Sequence, residues 1–342
     1  MLSGFIGPGR VAESFADGLT QLSGTAGCVL TVSGTVALSV AAKALELQEG
    51  GEILLPAYGV ISTINAFASI GLRPRLVDID RASGCMSLAQ LRDSITAQTK
   101  AVCYVNFSGH TGEDLVEVAR LCASLGIPLI EDAACALGHR HQGRSAGAFG
   151  TIGTYSFSVP KVLTTGQGGA VVSNDRGLLD KAAAFIDQGD LEWRKTNLNR
   201  AVGTNLRYTD LQARLGLCQL DDIDIRLARR RHSFEVLRAA LGARLYQVPG
   251  DQAPLHNIVF TKSPDELVGA LRRQGIQSVR QYRTLSQHPA YASLGGAYPN
   301  ADYWTDSAVY LPFGMSLVAE DAARISSAVL KSGVPLLTVE ER

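Results

Sequence analysis

The chain has 342 residues, enough to bury a large core, and its composition limits the functions it can have. The apolar fraction is 46% and the formal net charge is zero, as is typical of a globular enzyme. Zero net charge provides no long-range attraction to nucleic acid or to an anionic membrane, so we expect neither as a partner. No basic segment followed by an apolar one opens the chain, so we expect no secretory signal and a cytoplasmic location.

Strand and helix patterns alternate from about residue 28 to residue 190. Such alternation predicts an α/β fold with a mostly parallel sheet covered by helices on both faces. The predicted strands are residues 52–56, 74–79, 101–107, 127–131, 151–157 and 169–173, and the predicted helices between them are residues 61–70, 88–95 and 115–125.

The second half of the chain predicts a smaller unit. Residues 209–241 have the pattern of one long amphipathic helix, followed by a strand at 256–261 and helices at 264–274 and 319–331. We therefore predict a large domain, residues 1–230, and a small C-terminal domain, residues 231–342, with the boundary inside the long helix.

The six cysteines are scattered, and none forms a Cys-x-x-Cys pair. Most lie in apolar strand or helix contexts, so we expect free thiols in a reducing compartment rather than disulfides. His139 and His141 have no third ligand at metal-like spacing, and we expect no metal site. His110 follows a predicted strand, and whether it faces a site stays open.

Lys161 lies between an apolar strand ending near Phe157 and the glycine-rich turn 166–169. Burial there would lower the lysine pKa and give a nucleophilic amine that can form a Schiff base. Alternatively, the side chain lays its stem over apolar surface and keeps its charge in water. The lysine by itself does not decide between these interpretations.

Asp132 directly follows the predicted strand 127–131, at the carboxyl edge of the sheet where open α/β folds bind ligands. A buried carboxylate needs a cation or hydrogen-bond donors. A protonated pyridine nitrogen is such a cation, and the pairing lets the ring act as an electron sink. Capping of the next helix is the alternative role for Asp132.

An apolar strand runs into Ser33-Gly34-Thr35 and then into a helix of small apolar residues. The N-terminus of a helix presents unpaired amides and a positive dipole end, and Gly34 allows a phosphate to approach the backbone. Any well-capped helix has a similar sequence. The motif becomes informative together with Asp132 and Lys161, because the three can bind the two ends of one phosphate-bearing cofactor.

Together these residues resemble the DegT/StrS family of pyridoxal-phosphate sugar aminotransferases, which belong to the fold-type I superfamily. The resemblance extends over nearly the whole chain. It rests on an ordered series of motifs: Ser33-Gly34-Thr35, Pro56-Ala57-Tyr58, Val77-Asp78-Ile79-Asp80, Glu131-Asp132-Ala133-Ala134, Ser156-Phe157, Lys161, the glycines at 166, 168 and 169, Asn205-Leu206-Arg207, Gln212-Ala213 and Gln219-Leu220. It implies a seven-stranded, mostly parallel sheet between helices, with a smaller α+β domain.

The resemblance also implies roles for single residues. Lys161 would bind the cofactor and move a proton, and Asp132 would pair with the pyridine nitrogen. Asn205 would reach the cofactor phosphate of a neighbouring subunit, which implies a homodimer. The other implied cofactor-binding residues are Ser33, Gly34, Thr35, Val60, Cys135 and Ser156.

Several positions depart from the family pattern. Cys135 stands where glutamine is usual, and Val60 where an aromatic residue usually stacks on the pyridine ring. Ser158 stands where histidine is frequent. We expect the substrate to meet Tyr58, Ser158, Arg283 and His288.

The resemblance implies an aminotransferase that moves an amino group from an amino acid, in the family L-glutamate, to a keto sugar carried on a nucleotide. Such enzymes serve surface polysaccharide or secondary-metabolite assembly. A pyridoxamine-dependent sugar dehydratase of the same family is one alternative, but those enzymes replace the lysine. A catalytically idle regulatory relative is the other alternative.

Overall fold

The computed structural model describes residues 7–250 and 252–341. No helix among these residues is both long and apolar enough to span a bilayer. The strands are β1 Gly27–Thr31, β2 Glu52–Pro56, β3 Arg73–Val77, β4 Thr99–Val105, β5 Leu129–Asp132, β6 Arg140–His141, β7 Arg144–Ser145, β8 Ile152–Ser156, β9 Gly169–Ser173, β10 Asn257–Phe260 and β11 Ala308–Leu311. The helices are α1 Arg10–Ser23, α2 Gly34–Ala44, α3 Ile61–Ala68, α4 Leu88–Ser94, α5 Glu113–Ser124, α6 Arg176–Ile186, α7 Trp193–Thr196, α8 Asp210–Leu220, α9 Ile223–Leu241, α10 Pro264–Arg273, α11 Pro299–Ser307 and α12 Ala319–Lys331.

Seven strands form one sheet in the order β1-β9-β8-β5-β4-β2-β3. Strand β9 runs antiparallel to its neighbours β1 and β8, and the other pairs are parallel. Strands β5, β8 and β9 are buried at every residue, as expected when helices cover both faces of a sheet. The predicted α/β fold with a seven-stranded, mostly parallel sheet is confirmed.

The prediction of a single helix over residues 209–241 is wrong. Helix α8 ends at Leu220, and α9 begins only at Ile223. The intervening Asp221 and Asp222 explain the break, because aspartate is a poor helix-interior residue that favours helix ends. Ile223, at the start of α9, belongs to the apolar cluster that also contains Phe15 of α1.

Helix α9 connects two apolar clusters. Ile223 and Leu227 contact the cluster beside α1, whereas Phe234, Leu237 and Leu241 join one built from β10, β11, α10 and α12. We propose that the domain boundary falls inside α9, near residue 230. The outer bounds of the two domains, residues 1 and 342, lie outside the described residues.

Trp304 joins the C-terminal part of the chain to the large domain. The side chain is fully buried, and its ring lies 5.2 Å from that of Phe107 and 5.5 Å from that of Tyr58. Its indole nitrogen donates a 2.9 Å hydrogen bond to the carbonyl of Arg81. Since a buried tryptophan contributes a large apolar area, this contact fixes the position of α11 on the sheet.

We expect Trp304→Ala to lower the free energy of unfolding by about 3–5 kcal/mol, the usual cost of removing a buried aromatic side chain. Urea unfolding followed by circular dichroism measures the change. Trp193→Ala, on the short helix α7 that has no buried residue, is the control and should cost less than about 1 kcal/mol. Equal losses for the two variants would contradict the anchoring role of Trp304.

Candidate active site

A cavity of about 280 Å³ opens at the carboxyl ends of β5 and β8, beside the N-terminus of α2. Nine residues that the sequence predicts for the site line it together: Ser33, Gly34, Thr35, Val60, Asp132, Cys135, Ser156, Ser158 and Lys161. These residues come from four separate stretches of the chain. The sheet therefore assembles one site from motifs that are far apart in sequence.

The N-terminus of α2 faces this cavity. The Ser33 side chain caps the helix by accepting a 3.2 Å hydrogen bond from the amide of Val36. The first amides of the helix, at Gly34 and Thr35, have no acceptor within the helix. A Cβ added to Gly34 would lie 2.7 Å from the Cβ of Ser156, so only glycine permits this approach. The result is an anion cradle formed by amides and hydroxyls.

Asp132 is a buried carboxylate held by neutral donors. One oxygen accepts a 3.0 Å hydrogen bond from the Thr63 hydroxyl, and the other accepts a 3.1 Å bond from the amide of Ala134. Burial raises the pKa of Asp132, while these two hydrogen bonds and the charge of Lys161 oppose the rise. No cationic side chain in the described part of the chain forms an ion pair with it. A cation bound in the cavity would therefore be stabilised by this carboxylate.

Lys161 lies in the turn that follows β8, where it is half-buried rather than fully buried. The turn is closed by a 3.1 Å hydrogen bond from its amide to the carbonyl of Ser158. Its Nζ lies 3.2 Å from the Sγ of Cys135, which follows β5. The amine thus lines the same cavity as Asp132 and the anion cradle.

Tyr58 does not line the cavity, and the prediction that it contacts the substrate is not supported by its position. The side chain is 1% exposed, and its hydroxyl is hydrogen-bonded to that of Tyr310 at 2.8 Å. Its ring packs on Phe107 and Trp304 in the core. The residue therefore packs in the core beneath the end of β2.

Three other predicted residues also lie outside the cavity lining. Asn205 is exposed, and its side-chain oxygen accepts a 2.9 Å hydrogen bond from the guanidinium of Arg207. Arg283 is exposed and His288 is half-buried, both in the C-terminal part. The substrate contacts of Arg283 and His288, and the contact of Asn205 with the cofactor of a neighbouring subunit, stay predictions.

His110, left open by the sequence, does not line the cavity either. Its Nε2 lies 3.0 Å from a carboxylate oxygen of Asp114, whose other oxygen accepts a hydrogen bond from Tyr104. Possible ligand atoms of Cys85, His110 and Asp114 lie within 4.8 Å of one another. Because Tyr104 and His110 already engage both oxygens of Asp114, we assign no metal ion to this group.

Sequence reasoning missed two hydroxyl residues of the cavity, Ser62 and Thr63. Thr63 lies in the first turn of α3, directly after β2, and its contact with Asp132 depends on the folding of three strands. The sequence feature that could have indicated them is a pair of adjacent hydroxyl residues, Ser62 and Thr63, shortly after a buried strand. Gln167 of the glycine turn also lines the cavity.

Pyridoxal phosphate fits the residues present in the cavity. The anion cradle at Gly34, Thr35 and Ser156 suits its phosphate, and Asp132 suits a protonated pyridine nitrogen. Lys161 supplies the primary amine that such cofactors require. An α/β fold with this donor set defines the class of fold-type I pyridoxal-phosphate transferases.

Comparison with known proteins gives the family. Residues 1–330 match the model of the DegT/DnrJ/EryC1/StrS aminotransferase family, and the chain belongs to that family as a pyridoxal-phosphate-dependent aminotransferase. It is 31% identical over 308 residues to the GDP-perosamine synthase of Escherichia coli O157:H7, covering 87% of this chain and 84% of that one. It is 30% identical over 332 residues to the UDP-N-acetyl-3-dehydro-alpha-D-glucosamine 3-aminotransferase of Acidithiobacillus ferrooxidans, covering 95% and 88%. The structure of S. venezuelae DesV in complex with a ketimine intermediate superposes with a TM-score of 0.90 at 27% identity, covering 97% and 92%.

We expect Gly34→Ala to weaken the binding of pyridoxal phosphate about tenfold or more, because the new methyl group meets Ser156 inside the anion cradle. A spectroscopic titration of cofactor-free protein measures the dissociation constant. Gly269→Ala in α10 is the matched control, since its Cβ would meet only the far end of Arg273 at 3.6 Å. Unchanged affinity in Gly34→Ala would remove α2 from the phosphate site.

Proposed function

We propose that this chain transfers an amino group from an amino acid, L-glutamate, to a keto sugar carried on a nucleotide. The observation that carries the proposal is one cavity lined by the amine of Lys161, the carboxylate of Asp132 and the first amides of α2. We place the enzyme in the cytoplasm, in the assembly of surface polysaccharide or of a secondary metabolite.

Each side chain has a defined task in this proposal. Bound pyridoxal phosphate supplies an electron sink that stabilises the negative charge developing on the substrate carbon. Asp132 keeps the proton on the pyridine nitrogen, which maintains that sink. Nζ of Lys161 removes the proton from the carbon of the donor and returns one during amination of the acceptor. The amides at Gly34 and Thr35, with the Ser156 hydroxyl, hold the phosphate and fix the ring.

The keto-sugar acceptor is supported by the names of the relatives. The name of the Acidithiobacillus protein specifies a UDP-linked 3-dehydro sugar and the transfer of an amino group to its carbon 3. The E. coli relative is named for a GDP-linked product. Because the two relatives differ in their nucleotide, we assign to this chain only the shared chemistry of a nucleotide-linked keto sugar.

Lys161 favours the aminotransferase over the two alternatives. A pyridoxamine-dependent dehydratase has no use for a lysine that completes amino transfer. An idle relative would not need a buried carboxylate that lacks a cation, because such a group is costly without a ligand.

We also propose that the enzyme works as a homodimer, with Asn205 contributing to the partner's cofactor site. Asn205 is exposed and outside the cavity of its own subunit. Apolar side chains are exposed in the same region: Leu198 is 64% exposed and Val202 is 93% exposed. Apolar surface of this kind is costly in water and suits an interface between copies of the chain.

Wild-type protein mixed with pyridoxal phosphate is expected to show a visible absorption band that requires Lys161 and disappears on addition of L-glutamate. Lys161→Ala should lack the band and lower the rate of amino transfer by about 10²-fold or more, the usual contribution of a positioned acid–base group. Lys195→Ala, an exposed lysine paired with Glu192, is the control. No lysine-dependent band would overturn the proposed function, and a band that ignores L-glutamate would overturn the proposed donor.

The contribution of Asn205 to the partner's site predicts complementation between two defective variants. Each heterodimer of Lys161→Ala and Asn205→Ala has one site with both wild-type residues, so random mixing should restore about a quarter of the sites. Steady-state assays of the refolded mixture measure this recovery. A mixture of the double variant with wild type is the reference. If mixing restores nothing beyond the sum of the separate variants, Asn205 acts within its own subunit or not at all.

A further inference from the structure

Cys135 and Lys161 form a thiol–amine contact inside the candidate active site. The Sγ of Cys135 and the Nζ of Lys161 are 3.2 Å apart, and both side chains are half-buried and line the cavity. Oxidants attack a cysteine at its sulfur. The cavity gives small oxidants access to the sulfur, and the amine is already within contact distance.

The other cysteines lack this combination. Burial raises the pKa values of Cys28, Cys85 and Cys103 well above the ordinary range and that of Cys122 to about 12, which disfavours their thiolate forms. Cys218 is exposed. In the described part of the chain, Cys135 is the cysteine whose sulfur contacts a lysine nitrogen.

We propose that Cys135 and Lys161 are an oxidation site at which hydrogen peroxide produces a reversible sulfur–nitrogen bond between the two side chains. Peroxide first oxidises the sulfur to a sulfenic acid, its O–O bond accepts two electrons, and one water is released. The uncharged Nζ then attacks the sulfur. The S–N bond forms as the S–O bond breaks, and the departing hydroxide leaves as a second water with a proton from the amine.

The net change is the loss of two hydrogen atoms from the protein, and a thiol reductant reverses it. The external thiol attacks the sulfur, the amine regains a proton, and a second thiol completes the reduction. Linked Lys161 has no free amine for the cofactor, so oxidation stops amino transfer. This regulatory consequence rests on the proposed role of Lys161, whereas formation of the bond rests only on the contact itself.

Binding of pyridoxal phosphate to Lys161 competes with the link, because both consume the same amine. The protein is therefore vulnerable when Lys161 is free, either without the cofactor or while the cofactor holds the amino group. Added pyridoxal phosphate is expected to slow formation of the link at least about tenfold at concentrations well above its dissociation constant. Added L-glutamate should remove part of that protection.

The test is intact-mass and peptide mass spectrometry of the full chain after limited exposure to hydrogen peroxide. Cofactor-free wild type should lose two hydrogen atoms, yield a peptide joining Cys135 to Lys161, and return to its original mass with dithiothreitol. Cys218→Ser should behave as wild type. Cys135→Ser should form no link, and Lys161→Ala should instead accumulate a sulfenic acid at Cys135 that a cyclic dione reagent traps.

Oxygen additions at Cys135 in wild type without a linked peptide would overturn the inference, as would a link that pyridoxal phosphate does not slow. These outcomes are independent of the proposed function, which the absorption band of unoxidised protein reports. A normal absorption band without a link would leave the proposed aminotransferase function standing and overturn the proposed oxidation site. A link without an absorption band would support the sulfur–nitrogen bond and overturn the proposed function.

Discussion

The pairing of β8 with its two neighbours is the constraint on which the site depends. Parallel pairing with β5 aligns Asp132 with Thr154, and antiparallel pairing with β9 aligns Ser156 with Gly169. Gly169 in turn pairs with Thr31 at the end of β1. The register of these strands therefore brings the buried carboxylate, the anion cradle and the lysine turn to one edge of the sheet, as open α/β folds do with their ligand sites.

Glycine is required where these strands meet. A Cβ on Gly169 would lie 2.5 Å from the carbonyl oxygen of Ser33, and one on Gly34 would lie 2.7 Å from the Cβ of Ser156. Both contacts are too close for any other residue without a shift of the backbone. The same packing that joins β9 to the start of α2 thus leaves the first amides of the helix open to an anion.

Charge and burial explain why the site is incomplete without a ligand. Asp132 is surrounded by neutral donors, so its negative charge gains most when a cation enters the cavity. Lys161 affects the pKa of Asp132, and its Nζ lies 3.2 Å from the Sγ of Cys135. Both proposals give the reacting role to the amine of Lys161, so the proposed amino transfer and the proposed reaction of the Cys135 thiol compete for it.

Much of the fold and of the cofactor site could be predicted from the sequence, because both depend on local patterns. The strands at 52–56 and 169–173 have the predicted bounds, since apolar runs and turn residues define them. The prediction of a single helix over 209–241 was wrong. Whether Asp221 and Asp222 interrupt a helix depends on which side chains around them must be buried, and that follows from the tertiary packing.

The site residues also divide into those that local sequence patterns indicate and those whose positions depend on tertiary packing. Lys161 and Asp132 could be predicted to lie together because Asp132 ends the buried strand β5 and Lys161 follows the buried strand β8, each in a recognisable motif. The positions of Tyr58, Arg283 and His288 depend on how the C-terminal part packs on the sheet, which no local pattern encodes. The contact of Thr63 with Asp132 joins residues 69 positions apart and follows only from the strand order.

The most direct test of the account is to trap the bond between the protein and pyridoxal phosphate with borohydride and map the modified peptide. The account predicts that the label lies on Lys161. Asp132→Asn should carry less of the label or none, because the carboxylate holds the ring in place. A label on another lysine, or no label on the wild type, would contradict the assignment of this cavity as the active site.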